Sequence, residues 1–392
     1  MFIQCIGGSM TSQAKGASLD ISVGAMSRNA GRGNTRASNH NLFKGKNWNG
    51  GIAHVEQPLD RDGLIFIART DLCLRRPNIK GHRQFSSLLS PERLSSGGAI
   101  RAMLDPRWAA QRGKGSPLVD PLYGFMSLMD NTILSCTGWP DDVVKVTPTP
   151  PNRVGASALM VEGQHENGKP FTLSMEHNNT EGGMVTQTYN VLTRYSQWLR
   201  RHEVARYDDN IHLDRLDWKS RIYRFVFDKT GTRVEHFTMT GEAFALSSSI
   251  GALMNHQTDS SINTGYETVS GNWQCGGYFH NDPIVIDEFN RTQVLHNPNM
   301  HDDIREQNYY RVGADEGVPS LTLAKGFMYM GYPRIHPLTL EFEIWIPNLL
   351  KNLIAEGDTL EDFKQAMRDK NDEDIFNGMS EYDQEEFSNL FN

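Results

Sequence analysis

Residues 221–240 read RIYRFVFDKTGTRVEHFTMT, and this stretch decides the fold. Its two halves are rich in aromatic and β-branched residues, which favour strands. Between them lies the tight turn Asp228-Lys229-Thr230-Gly231, in which glycine can adopt the positive φ that hairpin turns require. The pattern predicts an antiparallel hairpin with strands over 221–227 and 232–240. Because so long a hairpin needs its unpaired edges covered, we expect contact with sister chains to cover them.

Apolar residues upstream of the hairpin predict two more strands and one long helix. Residues 64–69 read LIFIAR, which indicates a strand buried on both faces within 54–74. Residues 170–176 place three apolar side chains on one face of a short strand. An apolar stripe over 185–199 predicts the clearest helix of the chain, and its basic last turn complements the helix dipole.

Weaker patterns extend the prediction in both directions. Helical spacing of apolar residues predicts a helix over 118–134, and the prolines of 148–151 predict a stiff connector. A strand-rich stretch covers 266–279, and the run Ile284-Val285-Ile286 that follows has the length of a strand. A strand over 338–346 precedes acidic segments with helical spacing, which end the chain.

The charge of the chain is unevenly distributed. Its 392 residues, 38% of them hydrophobic, carry a formal net charge of −8. Residues 1–50 hold six Lys or Arg and one Asp, whereas 356–392 hold three Lys or Arg and twelve Asp or Glu. A basic leading arm and an acidic trailing segment favour polar docking between subunits. A nucleic-acid surface would instead concentrate positive charge on the folded domain.

These patterns divide the chain into three predicted parts. Residues 1–50, rich in Gly, Ser and Asn, form an arm that is disordered alone or ordered against a partner. Residues 51–300 form a β domain with an insertion over about 75–150, and 301–392 form a C-terminal extension. No apolar run approaches the roughly 20 residues of a membrane span, and the N-terminus makes a poor secretory signal. We expect a protein made in the cytoplasm without membrane association.

No motif for catalysis or cofactor binding is complete. The stretch GRGNTR at 31–36 has Arg in the sixth position of a dinucleotide fingerprint, and GKGS at 113–116 lacks the P-loop spacing. HEVAR at 202–206 has Arg206 where a zinc protease needs its second His. The four cysteines lie far apart and favour neither a zinc site nor a disulfide framework. We predict no catalytic residue and no cofactor.

Metal binding has equally little support. His280 with Asp282, and the run His301-Asp302-Asp303, carry suitable ligand types, but such single clusters are usually solvated loops. We therefore predict no metal site. The large aromatic residues are expected to anchor cores or interfaces.

The order of strand, amphipathic helix, hairpin and late strand pair resembles the tail-tube family of tailed phages, including tube-like proteins that start the tube inside the baseplate. The resemblance covers residues 165–300. It rests on the strand Phe171–Glu176, the helix 185–199 with Tyr195 and Trp198, the hairpin 223–240 around Asp228 and Gly231, then Gly241 and Phe244, and the strands near 266–278. Three segments, at 220–224, 240–244 and 281–290, are also similar to virion structural proteins of giant contractile-tailed phages.

The resemblance implies an α+β fold in which a small antiparallel β-barrel or sandwich carries a flanking helix. It implies a non-enzymatic virion protein of the tail, assembled in the host cytoplasm. Its partners would be copies of itself in a sixfold ring, other tail, baseplate or neck proteins, and double-stranded DNA that passes through the lumen without specific binding. The predicted oligomer interface comprises Arg221, Tyr223, Phe225, Phe227, Val234, Phe237, Phe244 and Trp273.

The chain is longer than a plain tube subunit, because it adds the arm, the insertion and about 90 residues after Asn299. These additions fit a specialised ring at the baseplate or neck. Two alternatives remain open. One is a head- or sheath-associated decoration protein. The other is a tail-associated hydrolase of glycans or cell wall, with Asp and Glu as acid and base.

Overall fold

A computed structural model of the protein describes residues 63–90, 92, 94–110, 115–151, 153, 155, 157–165, 168–180, 182–201, 203–204, 219–228, 230–247, 250–253, 258, 268–314, 317–323 and 331–348. Every described residue belongs to one compact unit, within residues 62–392. The predicted arm 1–50 and the acidic segments after residue 350 lie outside the described residues.

The described chain forms twelve strands and nine α-helices. The strands are β1 Gly63–Ile67, β2 Ile133–Thr137, β3 Val144–Pro148, β4 Leu159–His165, β5 Pro170–Asn178, β6 Ser220–Phe227, β7 Val234–Ala245, β8 Thr268–Gly276, β9 Phe279–His280, β10 Tyr309–Arg311, β11 Tyr332–Ile335 and β12 Phe342–Pro347. The helices are α1 Arg76–Lys80, α2 Ser96–Leu104, α3 Pro106–Ala109, α4 Ser127–Thr132, α5 Met184–Arg200, α6 Ile250–Leu253, α7 Ile284–His296, α8 Arg305–Asn308 and α9 Ser320–Leu323. Short 3₁₀ helices cover Arg83–Leu89 and Pro298–Met300.

Most strands belong to one antiparallel sheet in the order β1-β6-β7-β8-β5-β2, with β9 paired to β7. A second sheet has the order β10-β12-β11, and β3 and β4 form a separate hairpin. The predicted combination of helices with antiparallel strands is confirmed. The pairings among the described strands close no barrel, because none of them joins β1 to β2.

The predicted hairpin and helix are confirmed. β6 and β7 pair around the 228–231 turn, with Phe225 opposite Phe237, and Gly231 has φ +69°. β7 continues beyond the predicted end of the hairpin to Ala245. The long helix is α5, which runs from Met184 to Arg200.

One core lies on the face of the main sheet that α5 and α2 cover. Ile67, Leu173 and Trp273 contribute to it from the strands, and Tyr189 and Ile100 contribute from the helices. All five side chains are fully buried.

A second core lies on the opposite face, but only over β1, β6 and β7. Phe66 of β1 and Phe225 of β6 pack there against Phe289 of α7, with ring centroids 5.1 Å and 4.9 Å from it. Phe342 of β12 completes the cluster from the second sheet. Residues of β1 thus enter the two cores alternately, as its pattern predicts.

Strands β1 and β2 lie at the two ends of the main sheet, and the residues just before β2 bind to β1. Residues before β2 fill the gap beside β1: Met126 N–H donates to the Ile67 carbonyl at 2.8 Å, and Ile67 N–H donates to Asp130 Oδ1 at 2.8 Å.

The helix predicted over 118–134 is wrong in extent. Only Ser127–Thr132 is helical, and β2 follows at once. The preceding residues form turns because the buried Arg69 guanidinium donates hydrogen bonds to three of their carbonyl oxygens. These belong to Asp120, Pro121 and Tyr123. The local spacing of apolar residues does not reveal these long-range hydrogen bonds.

Two boundaries near the C-terminal end also differ from the prediction. The run beginning at Ile284 opens helix α7, because Pro283 and the Asp282 carboxylate, which accepts the Ile284 N–H at 3.0 Å, favour a helix start. The strand expected over 338–346 begins only at Phe342. Leu340 takes a positive φ of +57° in the turn that precedes it.

Candidate functional site

The β3–β4 hairpin exposes an apolar face. β3 pairs with β4 and with no other described strand. Val146 lies opposite Val161 and Pro148 lies opposite Leu159, so the four side chains share one face. Leu159 and Val161 are 74% and 68% exposed. Contiguous apolar surface of this kind is typical of protein–protein contacts.

The root of this hairpin is firmly attached to the main sheet. Gly138 has φ +107°, and a Cβ there would lie 2.3 Å from the Thr172 carbonyl oxygen, so only glycine lets the chain leave β2 so close to β5. Trp139 packs on Phe171 with ring centroids 5.8 Å apart. His280 Nε2 lies 2.9 Å from the Pro140 carbonyl oxygen. The hairpin therefore projects from a fixed point beside β2 and β5.

Strands β2, β5 and β8 carry exposed or half-buried polar side chains on one face, which no other described element covers. We call this face the polar wall. Its ten polar members are Ser135, Thr137, Thr172, Ser174, Glu176, Asn178, Thr268, Ser270, Asn272 and Gln274, all exposed or half-buried, and the exposed pair Pro170 and Gly276 closes the wall at one end. They face one another across the strands, as in the rows Thr137–Ser174–Asn272 and Ser135–Glu176–Ser270.

The polar wall arises from strict alternation. Between its members lie Leu173, Met175, Val269, Trp273 and Cys275, which are buried in the core beneath. Two side-chain hydrogen bonds cross between the strands of the wall: the Thr172 hydroxyl donates to Gln274 Oε1 at 3.3 Å, and the Ser135 hydroxyl donates to Glu176 Oε2 at 3.0 Å. The wall offers hydroxyl, amide and carboxylate groups, and none of its ten polar members is cationic.

The described residues form no cluster that is suited to metal binding. They contain no group of three or more His, Cys, Asp or Glu placed to hold a metal ion. A cavity of about 250 Å³ lies beside α7 and β11. Its buried Arg334 is already bonded to Glu343 at 3.0 Å and to Asp302 at 2.9 Å. Asp302 and Arg334 of this cavity therefore partner each other.

A family model covers nearly the whole chain. The family described as "Putative phage tail tube protein" matches residues 8–360. The chain belongs to this family of phage tail tube proteins. The resemblance inferred from the hairpin, the helix and the late strands is thereby confirmed, and the protein is related to the structural proteins of the phage tail.

Solved structures show only faint likeness to this tail tube protein. The anti-feeding prophage cap, named as a tube-terminating cap, is 13% identical over 38% of this chain and 79% of its own, with a TM-score of 0.23. The sheath/tube terminator of the extracellular contractile injection system PVC is 14% identical over 38% and 85%, with a TM-score of 0.22. These values are too low to carry an argument. The search of curated proteins gave no match.

Most of the residues predicted for the oligomer interface lie inside the chain. Tyr223, Phe225, Phe227, Val234, Phe237 and Trp273 are buried, because helices and the second sheet cover them. Arg221 and Phe244 are partly exposed; Arg221 lies 3.7 Å from Glu288, and Lys219 lies over the Phe244 ring. The interface remains a prediction, in which the six buried residues could meet a neighbour only through their backbones.

The hairpin face and the polar wall were both missed from the sequence. The wall had a readable signal, since Thr, Ser and Glu alternate with the apolar residues of 170–176. The hairpin was hidden because its prolines suggested a connector. Finally, no described helix of this tail tube protein is both long and apolar enough to cross a bilayer.

Proposed function

We propose that this tail tube protein is a ring subunit of a phage tail, six copies of which surround a conduit for DNA. The observation that carries the proposal is the exposed apolar face of the β3–β4 hairpin. In the ring, this face packs against a neighbouring copy of the chain. Sixfold closure follows from the family resemblance alone.

The hairpin needs such a partner on energetic grounds. An isolated two-stranded hairpin is marginally stable in water. Burying a Val or Leu side chain contributes about 1.5–3 kcal/mol. Contact at the face of Val146, Leu159 and Val161 therefore stabilises the hairpin by more than its own marginal folding free energy. The fixed root presents this face at a constant angle, which suits a symmetric assembly in which each copy repeats the same contact.

The polar wall supports the conduit. A surface along which DNA slides should carry no Lys or Arg, because neutralised phosphates release counterions and hold the polyanion. The ten members of the wall meet this condition. We therefore propose that the wall faces the lumen, while α7 and the second sheet cover other strands of the subunit.

The termini are proposed to connect rings. The basic residues 1–50 and the acidic residues 356–392 have complementary charge, which favours contact between them on neighbouring subunits. Deletion of residues 1–50 should abolish the stacking of rings seen by electron microscopy. Unchanged stacking of the truncated protein would reject this part of the proposal.

The central test removes the apolar face without touching a core. The double variant Leu159→Lys/Val161→Lys should remain folded, with an unchanged midpoint of thermal unfolding, but should no longer form rings in negative-stain images. Leu338→Lys is the matched control, since Leu338 is 88% exposed in a different turn. Rings from the double variant would show that the hairpin is not the contact. A wild-type chain that stays single at high concentration would contradict the function itself.

A further inference from the structure

The end of α5 and the segment that packs against it carry a cluster of positive charges. Residues 72–90 contain four Lys or Arg and residues 184–201 contain three, and neither range contains an Asp or Glu. This excess stands out in a chain whose net charge is −8. Five of these cations are exposed, and we call them the cationic face: Arg76, Lys80, Arg83, Arg194 and Arg201.

Side-chain contacts join the two parts of the cationic face. The His82 ring stacks on the Trp198 ring with centroids 3.5 Å apart, and Phe85 packs on the same indole at 5.3 Å. Arg194 Nη1 donates to Gln84 Oε1 at 3.1 Å. The segment 72–90 therefore lies against the last turns of α5, and the cations of both parts belong to one surface.

The charge of this surface is not balanced by the folded domain. Among the described residues, none forms an ion pair with any of the five cations. Asp71, the acidic residue that precedes the segment, is bound to Arg107 at 3.0 Å. Like charges that share one surface repel each other, so an acidic partner stabilises the cationic face.

The chain itself contains a segment of the opposite charge. Residues 356–392 hold twelve Asp or Glu against three Lys or Arg. They follow β12, and residues 349–392 can span about 145 Å at roughly 3.3 Å per extended residue, so the tether does not limit their reach. A tethered segment also has an effective concentration of about a millimolar, which no free polyanion needs to match.

Duplex DNA is the other polyanion that the proposed function involves, and its position disfavours it. α5 covers the core face of the main sheet, whereas the polar wall lies on the opposite face. DNA that passes along the wall is therefore separated from the cationic face by the sheet and by α5.

We propose that the acidic segment 356–392 docks on the cationic face of its own chain. The inference goes beyond the proposed function, because it gives this segment a site on the folded domain of a single subunit. Residues 1–50 of a neighbouring subunit then compete with the cationic face for the same carboxylates. Docking also covers a surface that would otherwise attract nucleic acid, since clustered Lys and Arg bind phosphates.

Photochemical cross-linking of the full-length chain tests the proposal. A photoreactive amino acid is placed at Gln197, an exposed position that shares one face of α5 with Arg194 and Arg201. After irradiation of a dilute sample, mass spectrometry should find peptides of 356–392 joined to the probe within one chain. Their yield should fall by about fivefold or more in 1 M salt, where the screening length is about 3 Å. A probe at Glu306, exposed on α8, is the control and should not capture the segment.

Charge reversal shows whether the capture depends on the cationic face. Arg83→Glu/Arg194→Glu should reduce the yield from the Gln197 probe as strongly as salt does. The matched control is Arg233→Glu/Arg291→Glu, which reverses two exposed cations elsewhere and should leave the yield unchanged. The midpoint of thermal unfolding should be the same for both double variants, so that a lower yield does not reflect unfolding.

Equal yields from the two double variants would overturn the inference. So would capture of any segment other than 356–392, capture only between chains, or adducts to added duplex DNA in place of the segment. The readout requires no ring, so this result and the outcome of the hairpin test on ring formation are independent.

Discussion

The ring of Tyr189 lies directly over Gly271. A Cβ at position 271 would stand 2.2 Å from Tyr189 Cζ, so α5 approaches β8 more closely than any side chain at 271 would allow. Tyr189 also joins three elements through its hydroxyl, which accepts the Trp273 Nε1–H at 3.0 Å and lies 2.8 Å from His177 Nε2.

Replacing Gly271 should therefore destabilise the protein through overpacking. Gly271→Ala pushes α5 away from the sheet, and we expect the free energy of unfolding to fall by about 1–3 kcal/mol in urea titrations. Gly276→Ala is the control on the same strand, where the nearest atom to the added Cβ is 3.4 Å away. Similar losses in both variants would mean that strand propensity, and not the Tyr189 contact, is responsible.

His177 should make the protein sensitive to acid. Burial lowers the pKa of His177 to about 4, below its ordinary value of 6.5. The unfolded chain therefore binds more protons than the folded chain between these values. Stability is complete above pH 6.5 and is lost as the pH falls toward 4, by up to about 3 kcal/mol.

Urea unfolding across this range provides the measurement. His177→Gln keeps an amide near Tyr189 but does not titrate, so its stability should be flatter between pH 6.5 and 4 than that of the wild type. His236→Gln, at an exposed position of β7, should follow the wild type. A His177→Gln profile as steep as the wild-type profile would assign the acid sensitivity to other groups.

How much the sequence could predict depends on the range of the interactions. Residues 185–199 and 221–240 fold as predicted, because their apolar spacing and the Gly231 turn act within the segment itself. The segment 118–126 does not, because its conformation is imposed by Arg69, some fifty residues earlier. The long helix α7 was hidden for a related reason, since its first turn is a short apolar run that fits a strand equally well.

The two candidate surfaces also differ in whether short-range sequence patterns determine them. The polar wall follows from period-two alternation and could have been found in β5 and β8. The apolar face of the β3–β4 hairpin could not, because it depends on a register in which Val146 meets Val161 and Pro148 meets Leu159. The six aromatic and aliphatic side chains predicted for a subunit contact are of types that are also typical of a hydrophobic core. Sequence alone does not tell a buried core from a buried interface.

Arg69 is expected to be irreplaceable even by lysine. Its guanidinium is almost fully buried and donates to five carbonyl oxygens, those of Met103, Ala102, Asp120, Pro121 and Tyr123. Burial lowers its pKa to about 10, so it stays charged at neutral pH. Lysine has three donors and no planar fork, so Arg69→Lys leaves buried carbonyls without partners.

We expect Arg69→Lys to lose about 3 kcal/mol or more of unfolding free energy, because hydrogen bonds to charged groups are worth about 1.5–3 kcal/mol each. Arg291→Lys, whose side chain is 71% exposed, should change stability by less than about 0.5 kcal/mol. A small effect at both positions would show that lysine and bound water can satisfy the 120–123 carbonyls.

Asp130 lies just before β2 and contacts β1. It affects stability through its hydrogen bond to Ile67 and through the burial of its ionisable carboxyl group, and two substitutions separate these effects. Its Oδ1 accepts the Ile67 N–H at 2.8 Å, whereas its Oδ2 is buried without a hydrogen-bond partner among the described residues. Burial raises the pKa of Asp130 well above its ordinary value, against the Ile67 hydrogen bond, which lowers it. The folded chain therefore binds more protons here than the unfolded chain. Its stabilising effect is complete below the ordinary carboxyl pKa and is lost as the pH rises.

Asp130→Asn keeps an oxygen for Ile67 but cannot ionise. It should match the wild type in acid and become progressively more stable than the wild type toward neutral pH. Asp130→Ala leaves the Ile67 N–H without an acceptor, so it should be less stable than Asp130→Asn by about 1–3 kcal/mol at every pH. Urea unfolding of the three proteins in acid and at neutral pH measures both differences. If Asp130→Asn instead loses stability at neutral pH, the carboxylate is ionised in the folded protein.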